Sequence, residues 1–401
     1  MNPSSVVLAY SGGLDTSFCI AYLTRERGMD VHTVTINTGG FDEAELQSME
    51  QRALQLGAKS FKVIDATRSY YDQCIRYLVY GNVLRNSTYP LSVSAERMFQ
   101  ALETARYARL LGATAVAHGS TGAGNDQVRF DLVFQVLAPE LEIITPIRDL
   151  RLSRAEEVDY LTKCGFEWEW RKAKYSINKG IWGTSVGGAE TLTSHKSLPE
   201  EAYPSQLKQQ EPSEVSLQFE KGELRGVNGK SYGHPVEAIQ ALQVLASPYA
   251  IGRDIHVGDT IIGIKGRVGF EAAAPLIILK GHHLLEKHVL TKWQLYWKEQ
   301  MANWYGMLLH EGQFLEPVMR NIETFLEDTQ TNVTGNVFVK LMPYRFELEG
   351  IESPFDLMNN SFGQYGEMNK AWSGDDVKGF TKILGNAGKI HQAVNAQTSE
   401  S

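Results

Sequence analysis

Hydrophobic and polar positions follow different patterns in the two halves of the chain, and the first half is the more regular. Short apolar runs predict strands at residues 5–10, 31–36, 60–65, 113–117 and 142–145. Helical periodicity predicts helices between them, at residues 16–26, 42–56, 95–111 and 153–163, the last opened by a Ser153–Glu156 capping box. Strands that alternate with helices are typical of a parallel sheet covered on both faces. We therefore expect a doubly wound α/β domain over residues 1–166.

The pattern changes after Gly165. Residues 168–204 have no clear period, and the segments beyond them predict two hairpins, one strand and three helices. The hairpins are expected at residues 215–227 and 336–348, the strand at 260–264, and the helices at 235–245, 290–309 and 315–327. Hairpins mixed with helices indicate an α+β domain, which we expect over residues 167–360.

The last segment, residues 361–401, is polar and contains one predicted helix at 375–393. Its apolar face consists of Val377, Phe380, Ile383 and Leu384. Because that face is too narrow to form a core alone, we expect it to pack on another subunit as a C-terminal oligomerisation tail.

Composition narrows the class of protein. The chain has 401 residues, 43% of them hydrophobic, and a net charge of −8, so neither a disordered chain nor a non-specific nucleic-acid binder is expected. Cys19, Cys74 and Cys164 form no disulfide framework and no zinc pattern. No apolar run is long enough to span a membrane, and the N-terminus does not resemble a signal peptide. We expect a cytoplasmic protein without nucleic-acid or membrane partners.

The first candidate site lies between the first predicted strand and helix. It consists of Ala9, Tyr10, Ser11, Gly12, Gly13, Leu14, Asp15, Thr16 and Ser17. A helix N-terminus offers free N–H groups, and glycines allow the backbone to approach a phosphate closely. Asp15 suggests either a bridging Mg²⁺ or a helix cap. The alternative is a plain glycine turn, but the whole pattern favours phosphate binding and differs from a Walker motif.

The second candidate site follows the fourth predicted strand, at residues 118–130. Within nine residues, Thr121, Asn125, Asp126 and Arg129 bring together a hydroxyl, an amide, a carboxylate and a guanidinium. The segment lies at the carboxyl end of a strand, which is the ligand side of such a sheet. The alternative interpretation is a flexible surface loop that leads into a helix.

Two other segments contain residues that can be catalytic or bind metals in other proteins, and we interpret both segments as structural. Residues 183–187 fit the Gly-x-Ser-x-Gly pattern of hydrolases, but the required strand and helix are not predicted around them. His282, His283 and His288 lack the spacing of metal ligands, and we expect them on a solvated helix face.

The two candidate sites together resemble the argininosuccinate synthase family of the ATP pyrophosphatase superfamily. Further matches occur at residues 175–178, 182–185, 252–253 and Arg267, and the resemblance extends from Val6 to about residue 361. It implies that residues 1–166 are a nucleotide-binding, adenine nucleotide alpha hydrolase-like domain and that residues 167–360 are a synthetase or substrate-binding domain. It also implies ATP and Mg²⁺ as cofactors, and a homotetramer. The implied reaction is the ligation of citrulline and aspartate to argininosuccinate through a citrullyl-adenylate, which releases AMP and pyrophosphate in arginine biosynthesis.

The resemblance also implies roles for individual residues. Residues 9–17, Ile36 and Gly119 would bind ATP; Thr121, Asn125 and Asp126 would bind aspartate; Tyr89, Ser94, Asn125, Arg129, Ser176 and Ser185 would bind citrulline. Asp15, Asp126 and Arg129 would be catalytic, and no metal is assigned to protein side chains. Arg97 is a further candidate cation, or else a solvated residue at a helix start.

The chain departs from the family pattern where the amino group of citrulline is expected. Gly187, Gly258 and Phe270 stand at positions where the family has polar groups suited to an ammonium. One alternative is therefore an N-acetylated or N-succinylated citrulline as substrate; another is that Asp254, Asp259 or Glu271 supplies the charge. Two rivals remain, namely another adenylating ATP pyrophosphatase and a domain that only senses adenine nucleotides.

Overall fold

The apolar runs near the N-terminus form a parallel sheet of five strands. The strands are β1 (Ser5–Ala9), β2 (Asp30–Asn37), β3 (Ser60–Asp65), β4 (Ala115–Ala117) and β5 (Glu142–Ile144). They lie in the order β3-β2-β1-β4-β5 in the computed structural model, which describes residues 4–166, 168, 174–360, 363, 365–367 and 371–399. All five predicted strands are confirmed.

Helices cover both faces of this sheet. They are α1 (Leu14–Arg25), α2 (Glu43–Gln55), α3 (Thr67–Tyr70), α4 (Arg76–Tyr80), α5 (Ser92–Leu111), α6 (Asp126–Leu137), α7 (Pro146–Leu150) and α8 (Arg154–Lys163). The predicted capping box at the start of α8 is present, with Glu156 accepting from the Ser153 amide at 2.8 Å. A π-helical turn, Tyr71–Ile75, joins α3 to α4, and this helical segment was not predicted.

Side-chain alternation along β1 explains the two covered faces. Val6 and Leu8 belong to a core that includes Phe18 of α1, whereas Val7 belongs to the opposite core with Met98 of α5. Successive side chains of a strand point to opposite faces, so a strand buried on both sides is apolar throughout. The predicted doubly wound α/β architecture is confirmed.

The strand order places both candidate loops at one position. Strand β1 pairs with β2 on one side and with β4 on the other, so the order of the strands reverses beside β1. Ligands of open α/β sheets bind at such a reversal, outside the carboxyl ends of the strands. The loops that follow Ala9 of β1 and Ala117 of β4 both leave the sheet there.

The following part of the chain is α+β, as predicted. Its strands are β6 (Ser176–Gly180), β7 (Gly183–Gly187), β8 (Ser213–Glu220), β9 (Glu223–Val227), β10 (Lys230–Ser231), β11 (Arg253–Asp259), β12 (Lys265–Glu271), β13 (Gly335–Met342) and β14 (Arg345–Glu352). Its helices are α9 (Pro235–Ala246), α10 (Ala273–Val289), α11 (Lys292–His310) and α12 (Pro317–Asp328). The strands form two antiparallel sheets, in the orders β10-β9-β8-β13-β14 and β11-β12-β7-β6.

Two expectations for this part are wrong. Residues 260–264 form the turn between β11 and β12 and not a strand, because Gly263 has a φ of +83° and its amide bonds back to the Thr260 carbonyl. His282 does not lie on a solvated face. It is fully buried in α10 and bonds to Asn82 and Gln330.

The chain divides into two compact units, Met1–Pro354 and Phe355–Ser401. The second unit contains α13 (Gly374–Leu384) and α14 (Asn386–Ser399), where one helix was predicted, and it buries no residue of α13. The predicted domain boundaries, at residues 167 and 361, lie outside the described residues, so that division stays a prediction. None of the helices in the described ranges has the length and apolar character needed to cross a bilayer.

Candidate active site

A cleft of about 860 Å³ opens beside the carboxyl ends of β1 and β4. Its volume is within the usual range for small-molecule sites. Many of the predicted site residues line it: Ala9, Tyr10, Ser11, Gly13, Leu14, Asp15, Thr16, Ile36, Gly119, Thr121, Asp126 and Ser176. The cleft therefore brings together the two candidate loops, which are about a hundred residues apart in sequence.

The first loop depends on its glycines. Gly12 has a φ of +74°, and a Cβ added there would lie 2.8 Å from Cγ of Met49. Arg52 holds the loop from behind, since its Nη1 donates to the Gly12 carbonyl at 2.7 Å. Gly13 is the N-cap of α1 and leaves the first-turn amides of that helix beside the cleft. Such a helix start favours an anionic group.

The hydroxyls of the first loop contact each other. Ser11 Oγ lies 3.3 Å from Thr16 Oγ1, which also accepts from the Ser11 amide at 3.4 Å. Long bonds of this kind are easily exchanged for stronger ones to a bound oxyanion. Ser17, in contrast, is fully buried and points away from the part of the loop that lines the cleft.

Asp15 faces a second carboxyl group that sequence reasoning missed. Glu157 lies on α8, which packs on α1 through Phe18 and Tyr160, whose ring centroids are 4.9 Å apart. Glu157 is 3% exposed, and its Oε2 has no hydrogen-bond partner within the described ranges. Burial and the neighbouring Asp15 raise the pKa of Glu157 to about 8. A carboxyl group with so high a pKa is largely protonated at neutral pH unless a cation binds to it.

The second loop packs directly on the first. A Cβ added to Gly119 would lie 2.9 Å from Cγ2 of Thr16 and 3.2 Å from its amide nitrogen. His118 anchors the loop, because its Nε2 lies 3.0 Å from Oδ1 of Asp131 and its Nδ1 accepts from the Ser120 amide at 3.2 Å. Glycine at residue 119 is therefore what lets the two loops touch.

Asp126 begins α6 and is held between two arginines. Arg97 Nε donates to its Oδ2 at 3.0 Å, and Arg129 Nη1 donates to its Oδ1 at 3.1 Å. Arg97 also donates to Asn178 Oδ1 at 2.8 Å and to Gln100 Oε1 at 2.9 Å. Burial opposes ionisation of Asp126, but the two guanidiniums outweigh it and lower the pKa of the carboxyl. Arg97 is thus a wall of the cleft and not a solvated residue.

Glu96 lies beside this cluster and lines the same cleft. It is 3% exposed, and its Oε1 accepts from Gln100 Nε2 at 2.8 Å. Burial raises the pKa of Glu96 to about 7, although Arg97 and Thr38 favour the ionised form. The cleft therefore contains one carboxylate held ionised and one that titrates near neutral pH.

Several residues predicted to bind the ureido substrate lie behind the cleft wall. Arg129 is 3% exposed, and its Nη2 donates to the His310 carbonyl at 2.9 Å and to Ser94 Oγ at 3.2 Å. The ring of Tyr89 stacks on His256 with centroids 5.2 Å apart. Ser94, Arg129 and Tyr89 thus cluster together, but they do not line the cleft as Ser176 does.

Asn125 and Ser185 are connected to the cluster in different ways. Asn125 Oδ1 accepts from the Ile261 amide at 2.8 Å, which ties the second loop to the turn between β11 and β12. Ser185 Oγ accepts from Asn178 Nδ2 at 3.5 Å, and Asn178 in turn contacts Arg97. Neither residue lines the cleft.

Two family models match nearly the whole chain. The arginosuccinate synthase N-terminal HUP domain matches residues 5–167, and the arginosuccinate synthase C-terminal domain matches residues 175–391. The chain belongs to the argininosuccinate synthase family. This confirms the predicted family and the predicted class of enzyme, an argininosuccinate synthase-type ligase.

Curated relatives are similar to this chain over nearly their full lengths. The argininosuccinate synthase of Dictyoglomus thermophilum is 35% identical over 96% of both chains. That of Xylella fastidiosa is 36% identical over 98% of this chain and 99% of its own. That of Methanocaldococcus jannaschii is 36% identical over 90% and 91%. The similarity therefore includes both the loops of the cleft and the α+β part.

Two residues of the suspected altered amine pocket lie close to Tyr89 and His256 in this member of the argininosuccinate synthase family, and the pocket itself stays a prediction. Phe270 is fully buried against Tyr89, with ring centroids 5.4 Å apart. A Cβ added to Gly258 would lie 2.7 Å from His256 Nε2, so an existing side chain already fills that space, whereas one at Gly187 would make ordinary contacts. The names of the relatives do not favour the acylated alternative either.

The three acids suggested as substitutes for the missing charge have partners of their own, and Asp254 Oδ1 accepts from the Ile255 amide at 2.7 Å. Glu271 pairs with Arg253 at 3.0 Å and is 5% exposed. Asp259 pairs with Lys265 at 2.6 Å on the open side of the hairpin. Neither carboxylate is directed to the cleft, whose lining includes neither of them.

Sequence reasoning missed Glu96, Asn178 and Glu157. Asn178 lies in the segment 175–178 that supported the resemblance, and Glu96 directly precedes Arg97. Glu157 follows the capping residue Glu156 and looked like part of a solvated helix start. No local signal marks either acid, because both stand at the starts of predicted helices, where acids are favoured in any case.

Proposed function

We propose that this chain ligates citrulline and aspartate to argininosuccinate at the expense of ATP, with AMP and pyrophosphate as the other products. The proposal rests on the cleft, where a phosphate-type loop and the Arg97–Asp126 cluster lie side by side. In the first step the ureido oxygen attacks the α-phosphorus, and pyrophosphate leaves. In the second step the aspartate amine attacks the ureido carbon of the citrullyl-adenylate, and AMP leaves. Splitting one difficult displacement into two is a general gain in catalysis.

ATP is expected at the end of the cleft formed by β1 and α1. The amides of the first turn of α1 and the hydroxyls of Ser11 and Thr16 would bind its phosphates. Ile36 lines the same cleft from β2 and would contact the adenine. Gly119 would leave space for the nucleotide because it carries no side chain next to Thr16.

The carboxyl groups of Asp15, which is half-buried, and of Glu157, which is buried, fit the Mg²⁺ that ATP chemistry of this kind uses. Asp15 and Glu157 would hold the ion, since one Glu157 oxygen is buried without a partner within the described ranges. Carboxylate oxygens suit Mg²⁺, which supplies positive charge to the phosphate oxygens as the pyrophosphate separates. Groups of three or more metal-ligating side chains do not occur in the described ranges, so substrate phosphates would complete the coordination.

Aspartate and citrulline are expected at the Asp126 end. Asp126 is held ionised, and its side chain is still 37% exposed, so it suits an ammonium of the aspartate substrate; Thr121 lines the cleft beside it. Ser176 would contact the ureido substrate directly. Arg129 and Ser94 would contact it only after α6 or the turn at residues 260–264 moves, because they now contact each other and His310 of α11. Tyr89, whose ring stacks on His256, would also need to move.

Pyrophosphate release from ATP tests the reaction. Purified full-length protein is incubated with ATP, Mg²⁺ and aspartate, and citrulline, N-acetylcitrulline and N-succinylcitrulline are added singly. We expect release that requires both aspartate and citrulline, with argininosuccinate formed in equal amount. Release that ignores aspartate would overturn the proposal, and a higher kcat/KM for an acylated citrulline would identify the alternative substrate.

We also propose a cytoplasmic homotetramer in which the C-terminal unit joins subunits. In support, α13 presents Val377, Phe380, Ile383 and Leu384 and has no buried residue. Truncation after Asp375 should lower the mass measured by sedimentation while ATP binding is kept. Unchanged mass would show that this apolar stripe has another purpose.

A further inference from the structure

We propose that Glu96 is the base that accepts a proton from the amino substrate before the ligation step. This inference rests on the proposed function, because it assigns a residue to its second step. The carboxyl group lines the cleft next to Arg97, the residue that also binds Asp126. Both carboxylates therefore contact one guanidinium, with Glu96 Oε1 3.7 Å from Arg97 Nη1.

The acidic side chains of the cleft differ in whether other groups already occupy their carboxyl oxygens. In the described ranges, its lining contains Asp15, Glu45, Glu96 and Asp126. Asp15 lies at the phosphate loop, and Glu45 accepts from the Asp42 amide at 3.0 Å as part of a helix cap. Each oxygen of Asp126 accepts from an arginine. Glu96 remains as the candidate base. Its hydrogen bonds are to the neutral groups of Gln100 and Thr38, and Arg97 lies 3.7 Å away.

The surroundings of Glu96 leave space for its carboxyl group. Gly180 of β6 faces it, and a Cβ added there would lie 2.6 Å from Glu96 Oε2. The adjacent Lys179 and Asn178 line the cleft as well. A larger residue at position 180 would therefore displace the carboxyl group from this place.

The charged and titratable groups that act on Glu96 lie on three helices. Arg97 of α5 lowers the pKa of Glu96, and Asp126 of α6 raises it. The charge of Glu96 in turn raises the pKa of Tyr70 of α3. Burial outweighs the effects of Arg97 and Thr38, and the pKa of Glu96 is raised to about 7. A base with a pKa near the working pH is the most effective one.

The step balances without any further reactant. One N–H bond of the substrate ammonium breaks, and its proton bonds to a Glu96 oxygen. The nitrogen lone pair then forms the bond to the ureido carbon, and the carbon–oxygen pair leaves with AMP. A second proton on that nitrogen passes to the departing phosphate, so that the product is a guanidinium.

The test separates the two half-reactions in Glu96→Gln. Citrulline-dependent exchange of labelled pyrophosphate into ATP, without aspartate, reports the first step; argininosuccinate formed in one turnover after aspartate is added reports the second. We expect exchange within about twofold of the wild-type rate, and ligation slower by about 100-fold or more. Glu103→Gln, on the same helix but outside the cleft lining, is the matched control and should change neither rate.

The pH dependence of the wild-type ligation rate provides a second readout, and this measurement does not depend on a variant that folds. Wild-type ligation should fall below pH 7, where Glu96 becomes protonated, and should level off above it, whereas exchange should not show this limb. In Glu96→Gln the ligation rate should keep rising above pH 7, because only free amine from solution reacts. In Glu96→Asp the ligation rate should still become constant at high pH, but at a lower value than in the wild-type protein.

Three outcomes would overturn this assignment. They are ligation by Glu96→Gln at the wild-type rate, an equal loss of both half-reactions, and a wild-type ligation profile without the limb near pH 7. If the wild-type protein shows no citrulline-dependent exchange at all, the proposed function fails instead, whatever Glu96 does.

Discussion

The two ends of the cleft are constructed differently. The phosphate-type end is formed by the segments 10–13 and 118–121, where glycines bring backbone groups close together, next to the start of α1. The other end consists of side chains, with Asp126 between Arg97 and Arg129. The partners of these arginines come from β6 and from the end of α11, far away in sequence.

This difference predicts how each end responds to substitution. Backbone groups remain when a side chain is shortened, so the phosphate-type end should suffer mainly from added bulk. Buried charges depend on each other, so the loss of one leaves another without its partner. We therefore expect removal of side chains to be most harmful around Asp126, and addition of atoms to be most harmful at Gly119.

The largest effect is expected for Arg129→Met. This change leaves Ser94 Oγ and the His310 carbonyl without their donor and removes one of the two cations on Asp126. Asp126 keeps Arg97 and is 37% exposed, so we expect a cost near the lower end of the range of about 3–5 kcal/mol that breaking a fully buried ion pair costs. The measurement is the free energy of unfolding in urea.

Arg106→Met is the control for that prediction. Arg106 also pairs with an acid on its own helix, Glu103, but its side chain is 51% exposed. Exposed pairs contribute about 0–1 kcal/mol. Equal costs for the two variants would show that the Arg129 cluster is no more tightly coupled than the surface.

Asp126→Asn should come next, with an effect on activity. The amide keeps the shape but loses the charge that Arg97 and Arg129 hold in place. A loss of about 2–3 kcal/mol in transition-state stabilisation corresponds to about 30–150-fold in kcat/KM for aspartate. The affinity for an ATP analogue, measured by calorimetry, should stay the same; a parallel loss would contradict the division between the two ends.

Gly119→Val tests the backbone-built end. The added atoms would collide with Thr16, which lies 2.9 Å from an added Cβ. Overpacking of about 1–3 kcal/mol should weaken ATP binding by about 5–150-fold. Gly124→Ala is the matched control in the same loop, because a Cβ there meets nothing within 4 Å. Similar losses in both variants would refute the role assigned to close loop packing.

Ser11→Ala should have the smallest effect. Its hydroxyl contacts Thr16 Oγ1 at 3.3 Å, and the loop amides remain when it is removed. The loss of one hydrogen bond to phosphate should cost about 0.5–1.5 kcal/mol, or about 2–12-fold in ATP affinity. A drop as large as that of Gly119→Val would show that side chains, and not the backbone, dominate this end.

The parts of the site that the sequence predicted are local in the chain. The first loop lies between one apolar run and one helical pattern, so its position followed from periodicity and glycine spacing. The contacts of Arg129 with His310 could not be predicted, because the two residues are 181 positions apart and α11 has no local signal for its role. The turn at residues 260–264 was mistaken for a strand because its apolar residues outweighed Gly263.

The sequence alone determined the order of strands and helices in the first part of the chain and the two glycine loops, since burial on both faces demands apolar strands and tight phosphate loops demand glycine. Only the tertiary structure decided the state of the acids. Asp126 is ionised and Glu96 titrates near neutrality because of which arginines reach each carboxyl group and how much water is excluded from it. Desolvation and charge proximity are properties of the folded chain, since they depend on neighbours that the sequence brings together only through packing.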